Sequence, residues 1–254
     1  MSTRNKVFFY WEGELPGFIK LCIETIHRNC NGFEIHHLNK DNIENYLELP
    51  EEYYKIKKIN HKTDYLKANL IYKYGGFWID ADTIILKDFS EWNKFLEEYD
   101  FIGTPGFFGG TKGSKTIKKW IDGMDISKEE LEWADLINPL IKSDKYAPFT
   151  PLKKEYICPL WYDDTLSEFF KNISLRRYIT ENTRVCILFN ACFPEEFKKK
   201  TDKEILEDET FIGRLFRLAL GYKKKVELPD YIGMATNANI ADTVNQILKY
   251  LRNQ

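Results

Sequence analysis

Residues 63–82 decide the fold, and they read TDYLKANLIYKYGGFWIDAD. Apolar residues recur at helical spacing from Leu66 to Tyr74, which predicts a helix with one buried face over Thr63–Tyr74. Gly75-Gly76 then ends the helix, because glycine readily takes the backbone conformation that closes a helix. The apolar run Phe77–Ile79 predicts a buried strand that leads directly into Asp80-Ala81-Asp82. The segment therefore predicts a helix, a tight turn, a buried strand and a pair of acids.

The residues before this segment predict the same alternation of strands and helices. They predict strands at Val7–Trp11 and Phe33–Leu38, a helix from Leu15 to about Asn31, and a short helix from Asn39 to Tyr46. Strands alternating with helices are typical of an α/β fold with a mostly parallel sheet. Ligands of such sheets bind beyond the carboxyl ends of strands, so Trp11 and Asp80–Asp82 should lie close together.

The second half of the chain is less regular. It predicts strands at Phe101–Thr104, Phe107–Gly110 and Arg184–Phe189, and helices at Lys115–Ile121, Lys128–Ile141, Leu206–Leu220 and Ile240–Leu251. Because no linker, repeat or low-complexity tract separates the halves, we expect one domain over 1–254, with an elaborated helical C-terminal part.

Composition excludes several classes of protein. The 254 residues carry 37 Lys+Arg against 39 Asp+Glu, a net charge of −2, which argues against nucleic-acid binding by bulk charge. A 15% aromatic content excludes a disordered chain. No apolar stretch approaches the ~20 residues that span a bilayer, and no signal peptide is evident. The five cysteines form no CxxC pair, so we expect no zinc site or disulfide framework, and a reducing, cytoplasmic location.

The acidic pair predicts a metal site. On an extended chain, Asp80 and Asp82 would point to the same side. Carboxylate oxygens suit Mg²⁺ or Mn²⁺, whose remaining ligands are commonly phosphate oxygens and water. Upstream, Asp64 and Lys67 stand three residues apart and share one helix face. Such acids at the end of an apolar strand are costly to desolvate unless they serve a cation.

With these motifs, the segment from Lys6 to about Leu86 resembles glycosyltransferase family 32 and its relatives. These include capsular-polysaccharide synthesis enzymes, initiating mannosyltransferases and the glucosyltransferase domains of clostridial toxins. Matching features are the opening run 8–13 (FFYWEG), the helix segment 21–26 (LCIETI), the strand 33–38 followed by Asn39, and above all the unit from Asp64 to Asp82. The resemblance covers about a third of the chain.

The resemblance implies a GT-A fold and transfer of a sugar, with retention of configuration, from a UDP- or GDP-sugar to a glycan, lipid-linked or protein acceptor. Residues 1–90 would form the half that binds the nucleotide sugar, and 91–254 the acceptor side. No dedicated catalytic base is expected, and Mn²⁺ or Mg²⁺ would neutralise the charge that develops on the departing diphosphate.

The resemblance also assigns roles to residues. Asp82 would bind the metal directly, with Asp80 beside it. Trp11 would stack on the base, with Tyr10 next to it, and Asp64 and Asp80 would hold ribose or sugar hydroxyls. The remaining candidates in the donor pocket are Thr63, Trp78 and Lys67. The candidates for a third metal ligand are Asn190, Asp163 and Asp164.

One departure affects the expected donor contacts, because the family usually has Arg where this chain has Lys67. Lysine offers a point charge rather than a bidentate fork. If its charge assists departure of the diphosphate, Lys67 joins Asp80 and Asp82 as a catalytic candidate.

Two other functions fit part of the pattern. Asp80-Ala81-Asp82-Thr83 also fits the DxDxT signature of haloacid-dehalogenase-type phosphatases, although about 80 residues precede it here. A non-catalytic protein that binds nucleotide sugars or carbohydrates on the same fold is the other alternative.

Several further residues carry weaker expectations. The glycine-rich stretch 108–115 is either a flexible loop near the acceptor or a plain hairpin. The neighbours His36 and His37 should face opposite sides of a strand, and His61 should be a polar residue at a helix start. Trp161 is either a packing residue or the border of an acceptor sugar site.

Overall fold

The computed structural model describes residues 5–126, 133–134, 136–137, 151–161 and 165–222. Its strands are β1 (Lys6–Tyr10), β2 (Glu34–Leu38), β3 (Gly76–Ile79), β4 (Thr83–Ile85), β5 (Phe101–Thr104), β6 (Phe107–Gly110) and β7 (Val185–Ile187). Its α-helices are α1 (Gly17–Asn29), α2 (Ile59–Tyr74), α3 (Lys115–Gly123), α4 (Lys154–Ile157), α5 (Glu195–Lys198), α6 (Asp202–Glu207) and α7 (Phe211–Leu220). Short 3₁₀ helices lie between them, the longest at Ser90–Glu97.

The central sheet has five strands in the order β2-β1-β3-β6-β5. β1 pairs in parallel with both β2 and β3, whereas β6 runs antiparallel to β3 and to β5. Four of the five strands therefore point the same way. β4 and β7 form a second, two-stranded antiparallel sheet, which brings residues near 185 to the chain that follows β3. The predicted α/β architecture with a mostly parallel central sheet is confirmed.

Helices cover both faces of the central sheet, and each face has its own apolar core. The odd-numbered residues of β1, Val7 and Phe9, pack with α1 and α7, while Phe8 and Tyr10 pack with α2 and α3. This division follows from the alternation of side chains along a strand. Because residues 7–10 of β1 are buried on both faces, this part of the strand is continuously hydrophobic, as expected for a central parallel strand.

The turn between α2 and β3 requires its two glycines. Gly75 and Gly76 have φ angles of 70° and 105°, a region that other residues rarely adopt. A Cβ at Gly76 would lie 2.4 Å from the carbonyl oxygen of Lys6 on β1. The second glycine therefore lets β3 come into register beside β1, which places Asp80 at the end of the sheet.

The structure corrects several predicted boundaries. Helix α2 begins at Ile59 rather than Thr63, strand β4 had not been predicted, and only a 3₁₀ turn at Ile43–Asn45 stands where a short helix was expected. The predicted helix Leu206–Leu220 is two helices, because Asp208 accepts from the Thr210 backbone N–H and ends α6. Most of the helix expected at Lys128–Ile141, and all of that at Ile240–Leu251, lie outside the described residues.

The helices of this part of the chain are too short or too polar for a membrane span. No helix among the described residues is both long enough and apolar enough to cross a bilayer.

Candidate functional site

The acids meet at one end of the central sheet. β1 and β3 are parallel neighbours with Phe8 opposite Trp78, so Tyr10, the last residue of β1, and Asp80, which follows β3, stand at strand ends that lie side by side. The expected proximity of these two strand ends is confirmed. Residues 81–82 form a turn rather than an extended chain, so Asp80 and Asp82 are not arranged by strand alternation as predicted. Their charges nevertheless interact.

Helix α2 supplies a buried ion pair to this edge. Asp64 and Lys67 are 2% and 4% exposed, and the Lys67 Nζ lies 2.6 Å from Asp64 Oδ1. The same Nζ lies 3.7 Å from Asp80 Oδ1 and 5.9 Å from the centre of the Trp120 ring. Burial alone would lower the pKa of Lys67, but the Asp64 and Asp80 carboxylates reverse the effect and raise it. Lys67 is therefore held as a cation between two acids.

Asp80 is fixed on one side and open on the other. Its Oδ1 accepts a 2.6 Å hydrogen bond from the indole Nε1 of Trp78, and its backbone N–H donates to the Gly106 carbonyl. A Cβ at position 106 would lie 3.2 Å from Asp80 Oδ2. Because Gly106 has no side chain, it does not crowd that oxygen. Burial raises the pKa of Asp80 to about 6; Lys67 opposes this rise and the charge of Asp82 adds to it.

Asp82 is held from a distant part of the chain. Its Oδ2 accepts two hydrogen bonds from Asn190, at 2.9 Å from the backbone N–H and 2.8 Å from the side-chain Nδ2. The Leu188 N–H also donates to the Asp82 carbonyl, which extends the β4–β7 pairing to this point. Of the three residues considered as a third ligand, the structure brings Asn190 to the acidic pair. Asp163 and Asp164 lie outside the described residues.

The residue before Asn190 is strained. Phe189 has φ 54° and ψ 52°, and it is the one residue other than glycine with positive φ in the described part of the chain. A left-handed conformation costs such a residue roughly 1–2 kcal/mol. Strain of this kind concentrates at functional sites, where the surrounding structure maintains it. Here the turn at Phe189 ends the β7 pairing and directs Asn190 toward Asp82.

The charges of this group suit a cation. Asp64 and Asp80 face one ammonium, Lys67, and Asp82 interacts with Asp80, so the three acids carry two more negative charges than Lys67 balances. Within the described residues, no three acidic, histidine or cysteine side chains converge as a complete metal cluster. The Asp80 and Asp82 carboxylates and the Asn190 amide carry oxygen atoms of the kind that could hold Mg²⁺ or Mn²⁺. We call this group of five residues, Asp64, Lys67, Asp80, Asp82 and Asn190, the acidic site.

Of the other predicted donor-pocket residues, Trp78 contacts the acidic site through its hydrogen bond to Asp80. The buried Tyr10 donates to Glu12 Oε2, and Trp11 is partly exposed with its Nε1 bonded to the Glu14 carbonyl. Thr63 donates to the Ile59 carbonyl of its own helix. Trp78 is completely buried, so its effect on a ligand would pass through Asp80.

Residues singled out for other reasons prove to be largely structural. His61 stands in the first turn of α2, at a helix start as expected, and its side chain is fully buried and stacks on Trp133 with ring centres 4.4 Å apart. His36 and His37 stack on Phe8 and Phe9, which pack into the two opposite cores, as predicted.

The glycine-rich stretch is a hairpin strand followed by the capped start of α3. The Asp100 carboxylate fixes this start, because it accepts from the Ser114 hydroxyl and the Thr116 N–H.

Trp161 packs edge-to-face on Phe189, with ring centres 5.0 Å apart, and so lies next to the residue that positions Asn190.

Comparison with solved structures finds glycosyltransferases. Apo GlyE of Streptococcus pneumoniae TIGR4 is 14% identical, with a TM-score of 0.50 over 91% of this chain and 64% of GlyE. A second GlyE structure is 15% identical, with a TM-score of 0.49 over 92% of this chain and 64% of GlyE. PaToxG glycosyltransferase is 16% identical, with a TM-score of 0.36 over 55% of this chain and 70% of the PaToxG chain. The chain thus spans less than two thirds of the length of GlyE.

The sequence comparisons define the family. Comparison with curated protein sequences finds no significant match. The family model described as "Capsular polysaccharide synthesis protein" matches residues 1–228, which is most of the chain. The first apo GlyE comparison independently indicates a GT-A-like glycosyltransferase fold. The chain is therefore a member of the capsular polysaccharide synthesis protein family, with the fold of a glycosyltransferase.

Proposed function

We propose that this protein is a divalent-metal-dependent glycosyltransferase that moves a sugar from a UDP- or GDP-sugar to a glycan, lipid-linked or protein acceptor, with retention of configuration. The observation that carries the proposal is the acidic site, in which residues from β3, α2 and the segment after β7 converge at the end of parallel strands. Family membership and fold support the same activity.

The proposal assigns the two ends of the donor to different residues. Trp11, partly exposed after β1, offers an aromatic face for the base, with Tyr10 next to it in the chain, and Thr63 on α2 is a further candidate of the donor pocket. Asp64 and Asp80 accept hydrogen bonds from ribose or sugar hydroxyls. Lys67 and Trp78 each bond to Asp80, so they fix its direction and leave Oδ2 for the ligand. A preorganised acceptor of this kind loses little conformational entropy on binding.

The metal would be held by Asp82, with Asp80 beside it and the Asn190 amide adjacent. When bound, Mn²⁺ or Mg²⁺ supplies positive charge that stabilises the departing diphosphate. Asn190 keeps the Asp82 carboxylate in one orientation through two hydrogen bonds. Lys67 provides a fixed cation of the protein itself within the acidic site, between Asp64 and Asp80.

Hydrolysis of a panel of UDP- and GDP-sugars tests this proposal, because many transferases slowly release sugar to water without an acceptor. We expect release of one nucleoside diphosphate with Mn²⁺, loss of release with EDTA, and loss in Asp82→Asn. Asp122→Asn is the matched control, because Asp122 is an exposed acid on α3 that pairs with Lys118. The control should keep wild-type rates.

The same assay separates the alternatives. Release of phosphate from simple phosphoesters, without cleavage of any nucleotide sugar, would favour the phosphatase. Tight binding of a nucleotide sugar that is never cleaved, even with a panel of acceptors, would favour a binding protein. Equal rates with Mn²⁺ and EDTA would contradict the metal-dependent mechanism.

A further inference from the structure

A basic groove is lined by the segments around residues 14–20 and 198–202, and the proposed chemistry does not use it. The groove has a volume of about 440 Å³. Its charged lining consists of Lys20, Lys198, Lys199, Lys200, Glu14 and Asp202. Its size falls within the range of small-ligand sites, about 300–1,000 Å³. On a chain whose net charge is −2, this is a local excess of positive charge.

Both walls of the groove follow in the chain from residues of the proposed donor pocket. One wall is the loop after Trp11 together with the start of α1, and the Trp11 indole N–H bonds to the Glu14 carbonyl in that loop. The other wall is the segment that leaves Asn190 and runs through α5 to Thr201. Phe18 of α1 packs on Phe197 of α5, with ring centres 6.0 Å apart. The two walls of the groove thus pack on each other, and each is connected in the chain to a residue of the proposed site, Trp11 or Asn190.

The lysines stand on fixed backbone. Phe197, immediately before the three lysines, is 3% exposed and anchored in the core. Thr201, immediately after them, forms a reciprocal capping box with Glu204. A Cβ at Gly17 would lie 2.5 Å from the Lys200 carbonyl oxygen, so the two walls touch through their backbones. A ligand would therefore meet ordered charges and would not have to order a loop.

Nearby carboxylates leave part of the positive charge available. Lys198 pairs with Glu195, whose side chain is 75% exposed, and Lys20 lies 3.6 Å from an oxygen of Asp202. Exposed pairs of this kind contribute about 0–1 kcal/mol and exchange readily for another anion. Lys200 is bound to the more buried Asp208. Lys199 is exposed, and no carboxylate of the described residues lies within ion-pair distance of it.

From this arrangement we infer that the groove binds an acidic saccharide, namely the carboxylate-bearing part of an anionic acceptor glycan. The inference rests on the proposed function for the identity of the ligand as an acceptor. The negative charges of Glu14 and Asp202 repel an anion, so the attraction of the lysines must exceed that repulsion. Lys199 is the lysine of the groove that forms no ion pair within the described part of the fold. The groove would thus bind the acceptor, whereas the acidic site binds the donor.

Binding of tetragalacturonic acid, compared with its fully methyl-esterified form, tests this inference by calorimetry. We expect the acid to bind, the ester to bind at least about tenfold more weakly, and the affinity for the acid to fall as salt is raised. Lys199→Glu should weaken binding of the acid by about tenfold or more, and Lys199→Arg should keep it. Lys119→Glu, the same change at an exposed lysine of α3, should bind like the wild type.

Donor hydrolysis separates this inference from the proposed function. Lys199→Glu should hydrolyse the donor at the wild-type rate, because the change does not touch the acidic site. Equal binding of the acid and the ester, or equal binding by Lys199→Glu and the wild type, would overturn the inference even if the donor is hydrolysed. Lysine-dependent binding to phosphatidylglycerol vesicles without binding of the soluble acid would also overturn it, in favour of a lipid headgroup.

Discussion

Replacing Lys67 by Met should destabilise the protein strongly, because it removes the cation between two acids. The Lys67 ammonium lies 2.6 Å from Asp64 and 3.7 Å from Asp80, and it is almost fully buried. Loss of one partner from a buried ion pair costs roughly 3–5 kcal/mol, because the other charge stays buried without compensation. For a chain of this size, ~1 kcal/mol corresponds to roughly 2–4 °C in Tm. We therefore expect a fall in Tm of about 6–20 °C.

The pH dependence of the variant adds a second signature. Without Lys67, the pKa of Asp80 should rise further, because the Lys67 charge that opposes its rise is gone, so the folded state takes up protons more readily than the unfolded chain. Stability of Lys67→Met should then rise as the pH falls from 7 toward 5. Urea unfolding at several pH values measures this gain, which should exceed that of the wild type.

The double variant Asp64→Asn/Lys67→Met is the matched control. It removes both members of the 2.6 Å pair, so it should recover much of the stability lost by Lys67→Met alone. Lys67→Arg keeps the charge and should stay closer to the wild type than Met does. The reasoning is refuted if Lys67→Met loses less than about 1 kcal/mol, or if the double variant is no more stable than the single one.

Three further predictions concern the turn, the acid and the amide that shape the site. Gly76→Ala should lower the free energy of unfolding in urea by more than about 3 kcal/mol, because φ is 105° and the new Cβ would meet the backbone of β1. The control Gly113→Ala, with φ 75° and no atom near its Cβ, should lower it by only about 1 kcal/mol. Equal losses in the two variants would contradict the close approach of Gly76 to β1. Without metal, the free energy of unfolding of the wild type should fall as the pH rises from about 4 to about 6, because the raised pKa of Asp80 makes the folded state bind more protons than the unfolded chain. One face of Asp80 is open to solvent, so we expect this fall to be about 1–2 kcal/mol. The fall should be absent in Asp80→Asn, and an equal pH dependence in that variant would argue against Asp80 as its source. Asn190→Ala should reduce donor hydrolysis about tenfold with a stability loss of only about 1 kcal/mol, because Asp82 keeps the backbone N–H; wild-type hydrolysis would exclude a role for the amide.

The sequence predicts the first half of the fold well, because local signals agree there with the tertiary structure. Gly75-Gly76 marks the end of α2, and the run Phe77–Ile79 is buried as a strand on both faces. Strand β4 escaped prediction because its three residues owe their conformation to pairing with β7, about 100 residues away. The split between α6 and α7 depends on one Asp208 hydrogen bond, which apolar periodicity does not reveal.

The acidic site could be predicted only in part. Asp64, Lys67, Asp80 and Asp82 stand within 19 residues of sequence, and the resemblance to the glycosyltransferase family implied that they share one donor site. Asn190 could only be a candidate, because its approach to Asp82 depends on β4–β7 pairing and on the left-handed turn at Phe189. An Asn after a strand carries little signal on its own, and Phe is not a residue that indicates positive φ.

Calorimetric titration with UDP and with GDP, in Mn²⁺ and in EDTA, tests most directly whether the acidic site binds a nucleoside diphosphate through a cation. We predict that one nucleotide binds in Mn²⁺, at least about tenfold more weakly in EDTA, and that Asp82→Asn loses the Mn²⁺-dependent part while Asp122→Asn keeps it. Equal affinity in Mn²⁺ and in EDTA, or a metal effect that persists in Asp82→Asn, would contradict the account.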